Sequence, residues 1–176
     1  MTTSTAGTTL QQAMEITASW LQSWEECEIS DEVLADRVEK LISNDNGARG
    51  FFAVSLAGNS PLIDRLPNPL LIKLRAAGKE LVDLMVRNLA MSAAMGTYHR
   101  SKGDICKAEG SERVNNRCID LLCLLDSNTV RARLEILLEA VTMHSGNDVL
   151  FLDRWGYSAE QRQAIQESVK VVVELC

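Results

Sequence analysis

From Leu81 to Met95 the sequence reads LVDLMVRNLAMSAAM, which is apolar on almost every side of a helix. A helix without a clear polar face is buried on most sides. A chain carrying this segment must therefore supply other helices to wrap it. The stretch is preceded by a start signal: Asn68 suits an N-cap, and Pro69 suits the first helical position, where its missing N–H costs nothing. The pattern predicts a central helix over about residues 69–100, with Gly78 and Gly96 as points where it could bend or break. It does not predict a membrane span. Asp83, Arg87 and Asn88 interrupt the run well short of the roughly 20 apolar residues a bilayer needs.

The flanking sequence supplies the wrapping helices. Thr9 with Gln12 and Ser158 with Gln161 have the form of capping boxes, in which each side chain satisfies an orphan backbone N–H. Ser30, Ser111 and the Asp126-Ser127-Asn128 break offer further cap chemistry. Behind these caps apolar residues recur at helical spacing, as in Val33, Leu34, Val38 and Leu41, or in Val130, Leu134, Leu137 and Val141. Residues 48–57 (ARGFFAVSLA) read either as a strand or as a short buried helix. A lone strand cannot satisfy its ladder groups, so the helix is preferred. Residues 101–110 read as a polar connection, and residues 147–157 as a loop or short turn. Aromatics at 5% and only 3 prolines also argue against an all-β domain. The expected fold is all-α: a compact bundle of about six or seven helices around the central one. Residues 1–8 are expected to be disordered, and residues 9–176 to form a single helical domain.

A net charge of −6 repels nucleic acid and anionic membrane at long range, so neither is an expected partner. The charge divides as −7 over residues 1–47, +5 over 48–117 and −4 over 118–176. A basic middle lying beside acidic ends of the same molecule accounts for this as simply as a patch for an acidic partner. The 5 cysteines are odd in number and form no CxxC pair, and residues 1–9 lack a secretory signal. A reducing, cytoplasmic setting follows, with cysteines serving as small apolar residues.

Catalytic signatures are missing. Gly78-Lys79-Glu80 lacks the preceding glycine and following hydroxyl of a phosphate loop, and Glu139 and His144 are badly aligned for one metal. No cofactor and no metal is called for. Two groupings stand out instead. Asn88, Ser92 and His99 follow close to one stripe of the central helix, with Arg87 beside them and Arg100 at the end. They form either a polar ligand pocket with Met91 and Met95 as walls, or an internal network that fixes helix register. Phe151, Arg154, Trp155 and Tyr157 cluster within FLDRWGYS, although aromatics are scarce elsewhere. They either plug one end of the bundle or make a docking site, since Trp, Tyr and Arg dominate binding hot spots.

Three segments, RGFFAVSLAGNSPL (49–62), LVDLMVRNLAMSAAM (81–95) and FLDRWGYSAEQR (151–162), together resemble conserved, uncharacterised helical proteins of cyanobacteria. The resemblance implies no activity and assigns no site. It implies a cytoplasmic or thylakoid-adjacent accessory role. The leading expectation is a non-enzymatic interaction or assembly domain with an unknown protein partner, or with a second copy of itself. A small-molecule-binding bundle is the alternative, and an enzyme with an unfamiliar site around His99 or Arg87 ranks third.

Overall fold

The computed structural model describes residues 7–176, so the expectation of disorder over residues 1–8 falls largely outside the described residues. Among the described residues the fold is all-α, as the sequence predicts. There are nine helices: α1 (Leu10–Glu25), α2 (Asp31–Ile42), α3 (Asp45–Ala57), α4 (Asn68–Ala76), α5 (Gly78–Ser101), α6 (Ile105–Leu124), α7 (Ser127–Met143), α8 (Val149–Trp155) and α9 (Ala159–Leu175). The count exceeds six or seven for two reasons. Residues 149–155 close a helix where a loop was expected. The predicted 69–100 helix is also two helices, because Gly78 adopts φ +68°, a left-handed backbone that ends α4. Gly96, the other suspected break, stays helical inside α5. No described helix is long and apolar enough to cross a membrane.

The chain separates into two compact units, Met1–Leu81 and Val82–Cys176. In the first, α1 packs on α3, and α2 packs on α3 and α4. The α1–α3 crossing is close enough to require glycine: a Cβ on Gly50 would lie 2.4 Å from the Ala13 Cβ. Phe51 and Phe52 meet edge to face at 4.9 Å and are fully buried with Leu34, Leu41, Leu56, Leu70 and Leu74. Residues 48–57 are thus helical, and α3 is capped by the Asn44 side chain, which accepts from the Gly47 N–H.

In the second unit α9 packs on α6 and α7, and α7 packs on α6 and α8. Its buried residues include Val82, Met85, Val86, Leu89 and Ala90 of α5, Leu121 and Leu122 of α6, Leu134 and Leu137 of α7, and Ile165 and Val169 of α9. Helix α6 starts earlier than expected. Asp104, not Ser111, is its N-cap, accepting from the Lys107 N–H at 3.2 Å. The Lys107 side chain and that N–H hold the Asp104 carboxyl below the ordinary carboxylate range. The expectation failed because residues 105–113 expose most of their side chains and so carry no apolar stripe.

Candidate functional site

The polar groups of α5 are drawn into the interior of the second unit. Ser92, 7% exposed, donates to the Asn88 carbonyl at 2.7 Å and lies 3.1 Å from that of Leu89. It accepts from Asn115 Nδ2 of α6 at 3.2 Å. Asn115 Nδ2 also reaches the Leu89 carbonyl at 3.0 Å and Ser168 Oγ of α9 at 2.9 Å, while Ser168 Oγ lies 3.1 Å from Asn115 Oδ1. Three helices are thereby pinned through one amide. Asn88 Nδ2 is bonded to the Leu84 carbonyl one turn back, at 2.9 Å. Gln161 of α9 adds a further tie by donating to the Ala94 carbonyl at 3.1 Å.

The other residues of this grouping go elsewhere. His99 is half-buried and meets the Tyr98 ring edge to face at 5.6 Å. Arg100 is ion-paired with Glu112 of α6. Arg87 pairs with Asp83 at 3.0 Å, as its i, i+4 spacing suggests, and its guanidinium carbon stands 5.3 Å from the centre of the Phe151 ring. Arg87 and Phe151, drawn from the two sequence groupings, thus meet in the fold, whereas His99 and Arg100 do not join Asn88 and Ser92.

Arg87 is the outer end of a longer chain of charges. Asp83 Oδ1 accepts from Arg133 Nε of α7 at 2.7 Å. Arg133 then grips Asp148 with two parallel bonds of 2.5 and 2.9 Å. Asp148 is 2% exposed and immediately precedes α8. Burial alone would lower the Arg133 pKa, but the hydrogen bonds to Asp148 and Asp83 outweigh it and raise it. The charge chain fixes the start of α8 to α7 and α5.

The far end of α8 is fixed separately. Arg162 of α9 donates to Asp153 at 2.9 Å and to the Tyr157 carbonyl at 3.3 Å. Gly156 takes φ +60° to end the helix, and Tyr157 then turns inward to 8% exposure. Burial pushes the Tyr157 phenol up to about 12. Tyr157 is therefore buried in the unit, while Arg154, Trp155 and Gly156 before it and Ser158 after it are exposed.

Between those fixings Leu152 is fully buried and the opposite side is open. Leu150 is 81% exposed and Trp155 54%, Arg154 is exposed with no ion pair among the described residues, and Phe151 is half-buried under Arg87. Helical geometry puts 154 about 40° from 150, and 155 about 40° from 151, so the four occupy one side of roughly 140°. Met143, at the end of α7, is 73% exposed. Sequence reading found Phe151, Arg154 and Trp155 but missed Leu150, which sits in a stretch read as a loop. It also missed Arg133, whose signal was its place at i+3 from Val130 on the buried stripe of α7.

Among the described residues no three His, Cys, Asp or Glu side chains gather closely enough to hold a metal ion. The cysteines divide three ways: Cys118 is buried, Cys27 and Cys106 are exposed and free, and Cys123 is bonded to Cys176. The last two are more than the packing residues that the sequence suggested. No curated protein and no solved structure matches the chain. Residues 9–172, nearly the whole sequence and all three segments singled out above, match one family, and the chain belongs to it: the family described as Uncharacterised conserved protein UCP020893.

Proposed function

We propose that this chain is a non-enzymatic interaction module, serving assembly or an accessory role, that docks a protein partner through the outer side of α8. One observation carries the reading. A helix held at its start by Asp148, along its inner side by Leu152 and at its end by Arg162 presents Leu150 at 81% and Trp155 at 54% exposure to solvent. Isolated exposed apolar residues are ordinary, but several on one rigid face beside an exposed arginine are the composition of a binding hot spot. The partner is a protein offering an apolar pocket for Trp155 and a carboxylate for Arg154. A second copy of this chain is the variant of the reading that the test below separates. The ligand-binding alternative has less support, because the side chains of Asn88 and Ser92 already make hydrogen bonds within the unit.

We place the protein in the cytoplasm. The exposed free thiols of Cys27 and Cys106 fit a reducing compartment, in which the Cys123–Cys176 disulfide would be a reversible one. Its cyanobacterial setting is likewise our reading, carried by the three resembling segments.

The test is native mass spectrometry on protein purified gently from its own host, wild type beside a Leu150→Asp, Trp155→Ala double variant of equal melting temperature. A second polypeptide, or a whole multiple of the chain mass, is expected on the wild type and lost from the variant. Equal recovery of every partner by both proteins would rule out the α8 face.

A further inference from the structure

Cys123, in the last turn of α6, is bonded to Cys176, the residue after α9, across a sequence separation of 53. Helix α9 is anchored by Ile165, Ser168, Val169 and Val172, all buried. Past Val172 that anchoring stops: Val173, Glu174 and Leu175 all face solvent, Leu175 at 67% exposure. The final turn keeps helical hydrogen bonds, such as Cys176 N–H to the Val172 carbonyl at 2.9 Å, and the covalent link to α6. Turns with few buried contacts open at little cost, so the link decides whether this one stays closed.

The bond is also within reach of small thiols. Both cysteines are only half-buried, and Leu124 beside Cys123 is exposed. Cys118 does not compete for exchange, being fully buried, with its thiol pushed up to about 12 by burial.

We propose that Cys123 and Cys176 form a reversible redox clip, closed by a disulfide of the glutathione class and opened by the corresponding thiol, whose state sets whether the final turn of α9 is ordered. On closing, one cysteine thiolate attacks glutathione disulfide and expels a glutathione thiolate, leaving a mixed disulfide. The second cysteine thiolate attacks the protein sulfur of that intermediate and expels the other glutathione. Two protein thiols are oxidised, one glutathione disulfide is reduced to two glutathiones, and the two protein protons end on them. Opening is the reverse.

The experiment uses the full chain with Cys27→Ser and Cys106→Ser, which removes the two exposed free thiols. It is equilibrated natively in glutathione buffers from reducing to oxidising. One portion is labelled natively for amide hydrogen exchange, and another is trapped by alkylation in denaturant and read by intact mass and peptide mapping. Passage between a form with three alkylated thiols and a form with one is expected, with a single disulfide peptide joining residues 123 and 176. Exchange at residues 173–176 is expected to rise roughly tenfold or more on opening. A Cys176→Ser variant should exchange like the open form in every buffer. A bond that never forms overturns the proposal, as does a bond that stays intact in millimolar reduced glutathione. Equal exchange at 173–176 in the two forms overturns it too.

Discussion

Helices α5 and α8 of the second unit each carry polar or aromatic groups in unusual company, and they dispose of them in opposite ways. In α5 the hydroxyl of Ser92 and the amide of Asn88 are satisfied inside, by backbone carbonyls and by Asn115. In α8 the polar groups hold the helix down from its ends, through Asp148 and Asp153, while Leu150, Arg154 and Trp155 are left outside. Hydrogen-bonding capacity satisfied in the interior fixes register and offers a ligand little. Apolar surface left exposed on a rigid element has a burial free energy that only a partner can realise. The polar groups of α5 are used up in packing, whereas α8 carries the exposed surface on which the proposed docking rests.

The largest effect should come from the charge chain that supports α8. Arg133→Met leaves the Asp148 carboxyl at 2% exposure with no guanidinium beside it. Breaking a buried pair on one side costs about 3–5 kcal/mol. Urea unfolding should show that loss, and the double variant Arg133→Met, Asp148→Leu should recover most of it, because an apolar pair of similar volume removes the stranded carboxyl. If the single variant is as stable as wild type, α8 is not held by this network and its rigidity has another source.

The next effect belongs to α5. Asn115→Ala removes the amide shared by Leu89, Ser92 and Ser168, leaving those groups poorly satisfied. At about 1 kcal/mol for each of these three hydrogen bonds, the cost is roughly 3 kcal/mol. A variant that keeps its stability but loses a bound small molecule would reverse the assignment of α5.

Much of this could be read in advance wherever the physics is local. The caps at Thr9, Ser30 and Ser158, and one within the 126–128 break, are found where the sequence puts them, because a cap is a side chain meeting a backbone N–H three residues on, whereas Asn68 lies inside α4 behind Pro67 and makes no cap bond. Readings failed where periodicity ran out. Helix α8 has 7 residues, too few to show a stripe, and the first turns of α6 bury almost nothing. Two further features lay beyond spacing altogether. Arg133 finds Asp148 15 residues away and Cys123 finds Cys176 53 away, pairings that only the packing of helices decides. The α5 stripe was legible as a set of polar residues needing partners. That the partner is Asn115 is not legible, since it lies on another helix 23 residues from Ser92, a pairing that only helix packing decides.

A smaller effect separates Tyr157 from the aromatic residues beside it. Its folded pKa is about 12 against an ordinary 10, because burial disfavours the phenolate. Well below pH 10 the folded and unfolded chains both carry the neutral phenol, so nothing is lost. Between pH 10 and about 12 the unfolded chain releases this proton while the folded chain keeps it, and stability falls. At pH 11 the loss is about 1 kcal/mol. Tyr157→Phe should flatten that part of the stability profile relative to wild type. Identical alkaline slopes in the two proteins would mean that Tyr157 is as open to water as Trp155.

The smallest expected change in stability is the sharpest test of the comparison. Trp155→Ala and Leu150→Asp alter side chains that are 54% and 81% exposed, and neither makes a hydrogen bond or ion pair in the unit. Surface substitutions of this kind stay within about 0.5 kcal/mol. If α8 is a recognition element, these variants should leave the unfolding midpoint in place while partner association drops tenfold or more, the scale of losing one hot-spot side chain. Arg154→Glu should weaken association most at low salt, because the partner's carboxylate then faces a like charge that salt screens. An unfolding free energy that falls by several kcal/mol in Trp155→Ala would show that the ring packs against the unit. Trp155 would then share the inward role of Tyr157, and the division between α5 and α8 would collapse.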